Sequence, residues 1–100
     1  MLHVKKAKYL GDYRIDLSFS DGREGIVDLK EWLKTTSLTP FRDLLKEKNF
    51  SNFHIDETIV WENGLDLAPE FLYFKAFEKD PELQERFKEW GYLEKNSDAA

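Results

Sequence analysis

A regular alternation of apolar and polar side chains runs through residues 13–29, Y-R-I-D-L-S-F-S-D-G-R-E-G-I-V-D-L. From Tyr13 to Phe19 every second residue is apolar, which gives an extended strand one apolar face and one polar face. The pair Asp21-Gly22 interrupts the alternation with a dipeptide typical of tight hairpin turns, and the apolar rhythm resumes at Val27. The stretch therefore predicts a β-hairpin in which Gly22 adopts a positive φ.

Two further features complete the predicted sheet. Residues Leu2 to Leu10 indicate a first strand, whose two apolar phases are reconciled by a bulge near Lys5-Lys6. Gly25, in the last strand of the hairpin, indicates a second bulge or a point where another element approaches the backbone closely. Because short connections favour neighbouring strands, we expect a three-stranded antiparallel meander.

Downstream, apolar residues at helical spacing alternate with a short strand pair. We expect helices that begin after the N-caps Asp28, Thr39 and Asp80, and at Pro69. We expect strands at residues 50–55 and 58–61, joined by a turn at Asp56-Glu57 and ended by Glu62-Asn63-Gly64. The predicted fold class is α+β: an antiparallel meander of about five strands, short helices packed on one face, and a C-terminal helical extension.

The extension carries a narrow apolar stripe formed by Leu83, Phe87 and Trp90 on an otherwise charged helix, with Gly91 at its C′ position. Such a stripe must be buried. It can fold back onto its own chain, which the short connection favours, or it can dock on a second copy in a homodimer. Both arrangements stay open.

Composition and charge narrow the class of protein. The 100 residues fit one domain, which we place at residues 1–94, with a frayed tail at 95–100. The chain has no Cys and no long uncharged segment, so we expect a cytoplasmic protein that makes no membrane contact. Residues 51–100 contain 5 Lys and Arg against 12 Asp and Glu, a balance of -7 that disfavours nucleic-acid binding.

Five sequence markers follow one another in a specific order: F-S-D-G (19–22), I-V-D-L (26–29), P-F-R-D-L (40–44), N-F-S-N-F (49–53) and I-V-W-E-N-G-L-D-L-A-P-E-F-L-Y (59–73). Over about residues 4–74 this order resembles a small bacterial family, domain of unknown function 2442. The resemblance implies a compact α+β domain without an established activity and without catalytic residues. Some members resemble halves of toxin–antitoxin gene pairs, and some are fused to helix-turn-helix domains.

The residues themselves indicate little chemistry. The chain has two histidines, His3 and His54, which lie far apart in sequence, so we expect no metal site, no cofactor and no catalytic residue. We interpret the neighbouring carboxylates Asp66 and Glu70 as caps of a helix start rather than as an acid–base pair.

Five residues form a candidate partner surface: Trp61, Asn63, Asp66, Tyr73 and Trp90. Tyr and Trp are enriched at protein interfaces. A purely structural interpretation is also open, in which Trp61 closes the sheet and Asp66 caps the following helix through a turn that needs Gly64. The sequence thus predicts a non-enzymatic protein-interaction or regulatory module, such as the antitoxin-like member of a small-protein pair. The alternative is a small enzyme or small-molecule-binding domain.

Overall fold

The computed structural model describes residues 1–93; the tail expected to fray lies outside the described residues. Its five strands are β1 (Val4–Gly11), β2 (Arg14–Phe19), β3 (Glu24–Asp28), β4 (Phe53–Asp56) and β5 (Thr58–Trp61). Its α-helices are α1 (Lys30–Thr35), α2 (Glu47–Phe50), α3 (Pro69–Ala76) and α4 (Gln84–Glu89). Two 3-10 helices, Thr39–Leu45 and Pro81–Leu83, complete an α+β architecture.

The three-stranded meander β1-β2-β3 is confirmed, and so are its local details. Gly22 has φ +91°, and the Asp21 carboxylate accepts the backbone N–H of Arg23 at 3.0 Å to close the turn. The register of β1 shifts between Val4 and Lys6, where the bulge was expected. At Gly25 an added Cβ would lie 2.6 Å from the ring of Phe77, so this glycine marks a close approach of α3.

The second strand pair forms its own sheet and does not extend the meander. β4 begins at Phe53, and the prediction that it begins at residue 50 is wrong. Phe50 instead ends α2, where its side chain is fully buried and its carbonyl accepts a hydrogen bond from the indole of Trp61 at 2.8 Å. The two sheets meet where the Val4 N–H donates to the Glu57 carbonyl at 2.9 Å.

The first helix starts one residue later than predicted. Leu29 occupies the N-cap position, and the Asp28 carboxylate accepts the N–H of Lys30 at 3.0 Å from just outside the helix. The reason is long-range, because the Leu29 N–H donates to the Tyr13 carbonyl at 3.1 Å. This bond extends the β2–β3 ladder through Leu29 and delays the helix.

The segment after Pro40 is a 3-10 helix, and Thr39 lies inside it, so the prediction of a Thr39 cap is wrong. Leu38 holds the N-cap position without a side-chain cap. The buried residues Phe41 and Leu44 are three apart, which matches the three-residue turn of a 3-10 helix. The apolar spacing therefore suits the tighter helix.

The C-terminal extension packs within the chain. Asp80 caps the 3-10 helix by accepting the Glu82 N–H at 2.9 Å, as expected. Gly91 has φ +88° and ends α4 in a Schellman motif, in which Tyr92 N–H donates to the Phe87 carbonyl at 2.9 Å. The side chain of Phe87 is fully buried and packs edge-on against Phe74 of α3, with ring centroids 5.1 Å apart. Homodimer formation remains a prediction.

One hydrophobic core joins both sheets and the helices. The inward face of the meander contributes Val4, Ile15, Leu17, Phe19 and Val27. The helices, the second sheet and the connections beside them contribute Leu29, Leu33, Phe41, Leu44, Phe50, Ile59, Trp61, Leu67, Leu72, Tyr73, Leu83 and Phe87. The helices cover this inner face of the meander, and the polar face of the sheet is left to solvent, as is typical of antiparallel sheets.

Candidate functional site

The structure does not bring the five predicted surface residues together. Trp61 is 1% exposed, and its indole N–H is satisfied by the Phe50 carbonyl, so it serves the core. Tyr73 is also fully buried. A buried aromatic ring cannot offer contact area to a partner, which corrects the prediction for these two residues.

Asn63 and Asp66 lie together in the exposed turn after β5. Asn63 accepts the Leu65 N–H at 3.1 Å beside Gly64, whose φ is +86°. The backbone of Asp66 forms an isolated bridge with Val60. Ala68 holds the N-cap position of α3 without a side-chain cap, so the prediction that Asp66 caps this helix is wrong.

A small cavity of about 80 Å³ lies beside this turn. Its lining includes Asp43, Asn49, Asn52, Trp61 and Asn63. Asn49 Nδ2 donates to the Asp43 carboxylate at 3.1 Å, so these two lining side chains are bonded to each other. Because ligand pockets typically measure about 300–1,000 Å³, this cavity is too small for a metabolite.

Tyr73 connects three distant parts of the chain. Its hydroxyl donates to the Asp21 carboxylate at 2.7 Å and accepts from Arg86 Nη1 at 3.4 Å. Burial, and then the hydrogen bond to the Asp21 carboxylate, raise the pKa of Tyr73 to about 12. The phenol is therefore protonated at neutral pH and cannot act as a general base; it joins the β2–β3 turn to α3 and α4.

Trp90 lies over this connection. It is half-buried, with its ring centroid 5.7 Å from that of Tyr73 and 5.9 Å from the guanidinium carbon of Arg86. A depression of about 360 Å³ beside it is lined by Met1, Leu2, Ser20, Asp21, Arg86 and Trp90. The charged side chains here contact one another or Tyr73, and Arg23 adds ion pairs to Asp80 and Glu82 at 3.6 and 3.7 Å. These contacts connect the β2–β3 turn with α3 and the C-terminal extension.

The free edge of β3 is the feature that the sequence reasoning missed. Hydrogen bonds from Phe19 N–H to the Arg23 carbonyl (2.9 Å) and from Leu29 N–H to the Tyr13 carbonyl (3.1 Å) fix the phase of the β2–β3 ladder. In this phase the odd-numbered residues of β3 bond to β2, and the even-numbered residues direct their N–H and C=O groups outward. These outward backbone groups belong to Glu24, Ile26 and Asp28. They have no hydrogen-bond partner within residues 1–93.

Ile26 stands on this edge with 52% of its surface exposed. The register places it beside Asp16 of β2, which in turn pairs with Lys8 of β1. The sequence contained the signal, since the phase that turns Val27 and Leu29 inward must turn Ile26 outward. An aliphatic side chain and open backbone hydrogen-bonding groups thus occur on the same strand.

A shallow groove of about 480 Å³ crosses the outer face of the same sheet. Its lining includes Lys6, Lys8, Asp16, Ser18, Glu24 and Ile55. Lysines line the β1 side, and carboxylates line the β2 and β3 side. The groove is therefore divided in charge, with its acidic side towards the free edge.

Residues 1–93 contain no group of three His, Asp or Glu side chains that could hold a metal ion. His54 is exposed on β4, and His3 Nδ1 lies 3.4 Å from the Met1 carbonyl. Within the same residues there is no helix of the length and apolarity that crossing a membrane requires.

Comparison with known proteins gives one match. The family described as "Protein of unknown function (DUF2442)" matches residues 4–78, which include both sheets, α3 and the Asp21–Tyr73 hydrogen bond. No curated protein and no solved structure matches the chain. Because the match covers three quarters of the chain, from β1 to just beyond α3, the chain belongs to the DUF2442 family.

Proposed function

We propose that this chain is a non-enzymatic protein-interaction module whose partner docks at the free edge and outer face of β3. The observation that carries the proposal is Ile26, which is 52% exposed on a strand whose outward N–H and C=O groups have no partner within residues 1–93. Edge strands are normally protected because they pair readily with other chains. Protein domains that bind extended segments use such an edge for backbone hydrogen bonds and use adjacent side chains for selectivity.

Charge supports a protein partner rather than a nucleic acid. The balance of -7 in residues 51–100 repels phosphate, and the free edge carries Glu24 and Asp28. We further propose a regulatory role, such as the antitoxin-like member of a bacterial small-protein pair, in the cytoplasm. The resemblance of some family members to halves of toxin–antitoxin gene pairs motivates the regulatory role, and a Cys-free sequence suited to a reducing compartment motivates the location.

The test compares two lysine substitutions of matched exposure. Ile26→Lys places a charge on the proposed site, and Leu38→Lys changes a residue that is 54% exposed in the connection before the 3-10 helix. Surface substitutions of this kind typically change stability by less than about 0.5 kcal/mol, so both variants should fold. Tagged wild type and both variants are recovered from the native cells, and co-purified proteins are quantified by mass spectrometry.

We expect a specific protein to be retained by the wild type and by Leu38→Lys and to be lost from Ile26→Lys. The same dependence must hold when that protein is purified and its affinity is measured directly. Equal retention by all three chains, or no protein that distinguishes them, would contradict the proposal.

A further inference from the structure

We infer that the segment that docks on β3 is an extended strand with basic side chains at alternate positions; the inference rests on the proposed function. Side chains two residues apart on a strand share a face. Glu24 and Asp28 therefore flank Ile26 on the outer face of β3, one on each side. A strand added at this edge places its own outer-face residues directly opposite these three.

The negative charge of the edge is not neutralised evenly within the chain. Glu24 lies opposite Ser18, and no ion pair involves Glu24 within the described residues. Asp28 lies opposite Arg14, and its carboxylate also accepts the Lys30 N–H. The unbalanced charge is thus greatest at the Glu24 end, and a partner should place a Lys or Arg there.

Pairing of two β3 strands in a homodimer is disfavoured by the same charges. An antiparallel pair centred on Ile26 would place Glu24 of each copy opposite Asp28 of the other. Like charges directly opposite each other destabilise a strand pair, and this arrangement creates two such contacts. The edge therefore rejects its own copy and favours a strand of opposite charge.

The inner-face positions of the docked strand face a different neighbour. Beside Gly25 the space is filled by the ring of Phe77, which lies within 2.6 Å of the position that a Cβ would occupy. Small or β-branched side chains suit these positions better than large ones. On its outer face the expected segment thus carries a basic, an aliphatic and a second basic side chain in that order. On its inner face it carries small or β-branched side chains.

The experiment uses two synthetic peptides with the full chain. The basic peptide is acetyl-Ser-Lys-Thr-Val-Thr-Lys-Ser-amide, and the acidic peptide has Glu in place of both Lys. Binding is followed by backbone amide NMR shifts at low salt. We expect the basic peptide to shift the amides of Glu24, Ile26 and Asp28 and to bind about tenfold more tightly, since two opposite-charge pairs replace two like-charge pairs.

Charge reversal provides the matched control. The double variant Glu24→Lys/Asp28→Lys should prefer the acidic peptide. Glu31→Lys/Glu89→Lys makes the same change in net charge on α1 and α4 and should keep the preference for the basic peptide.

The remaining outcomes separate this inference from the proposed function. If both peptides bind β3 with equal affinity, the basic preference is wrong and docking at the edge stands. If neither peptide shifts the β3 amides, or if the chain forms a dimer that Ile26→Lys abolishes, the inference of a basic strand is overturned. The co-purification experiment with Ile26→Lys and Leu38→Lys then decides the proposed function independently.

Discussion

Replacement of Tyr73 by Phe should lower the free energy of unfolding near neutral pH. The difference from the wild type should become smaller at alkaline pH. The hydroxyl of Tyr73 donates to the Asp21 carboxylate at 2.7 Å, and the ring is fully buried against Phe19, Phe77 and Trp90. The substitution keeps the ring and removes this hydrogen bond together with the longer one that the hydroxyl accepts from Arg86 Nη1 at 3.4 Å. Hydrogen bonds to charged groups contribute about 1.5–3 kcal/mol, and Asp21 is partly exposed, so we expect a loss of about 1.5 kcal/mol near pH 8.

The pH dependence follows from the raised pKa of Tyr73. In the unfolded chain this tyrosine titrates near 10, whereas in the folded chain burial and the Asp21 carboxylate raise its pKa to about 12. The folded state therefore holds the proton more tightly, and the corresponding stability is fully present below pH 10 and is lost as pH rises to 12. A shift of about two pH units corresponds to about 2–3 kcal/mol.

Urea unfolding of wild type and Tyr73→Phe between pH 8 and pH 11.5 measures this directly. Burial also raises the pKa values of Tyr9 and Tyr92. Both tyrosines are present in the two proteins, so their titration should change the two unfolding free energies equally. The difference in unfolding free energy between the two proteins should therefore shrink as pH rises. A difference that stays constant across this range would refute the proposed role of the Tyr73 hydroxyl.

Three core and turn substitutions test the packing, each by chemical denaturation. Gly25→Ala should cost about 1–3 kcal/mol because its methyl group would lie 2.6 Å from the Phe77 ring, and the cost should fall when Phe77→Leu makes room. Gly22→Val should cost about 1–2 kcal/mol through backbone strain at φ +91°, since no atom lies within 4 Å of the added Cβ, and an unchanged stability would contradict the turn geometry. Trp61→Phe should cost about 2–3 kcal/mol because it leaves the Phe50 carbonyl without its 2.8 Å donor, and a cost below that of Gly22→Val would show that this bond contributes little.

Local patterns predicted the meander well because its determinants are local. Alternation from Tyr13 to Phe19 fixes which side chains face the core, and Asp21-Gly22 fixes the turn. Both signals depend only on neighbouring residues. The predicted strands β2 and β3 and the positive φ of Gly22 are accordingly confirmed.

The errors occurred where distant contacts decide the structure. Asp28 has the sequence of an N-cap, but a hydrogen bond between Leu29 and Tyr13 moves the helix start. Phe50 has the sequence of a strand residue, but it ends α2, and its carbonyl binds the Trp61 indole. Such bonds join residues more than ten positions apart, so a local pattern cannot reveal them.

In the candidate site, too, features set by neighbouring residues could be predicted and features set by distant contacts could not. Trp61 and Tyr73 suggested a surface because aromatic side chains are common at interfaces, but only the packed structure shows that both are buried. The role of Asp21 as an acceptor for Tyr73 depends on contact across 52 positions. The exposure of Ile26, by contrast, follows from strand phase, and was available from the alternation alone.

Amide hydrogen exchange at β3 tests the central claim most directly. Docking of a strand should bond the outward N–H groups of Glu24, Ile26 and Asp28 and leave those of Gly25 and Val27, which already face β2, unchanged. With the purified partner bound, we predict exchange at least about tenfold slower at the three even-numbered residues only. Unchanged exchange at these three amides in the bound state would contradict docking at the β3 edge.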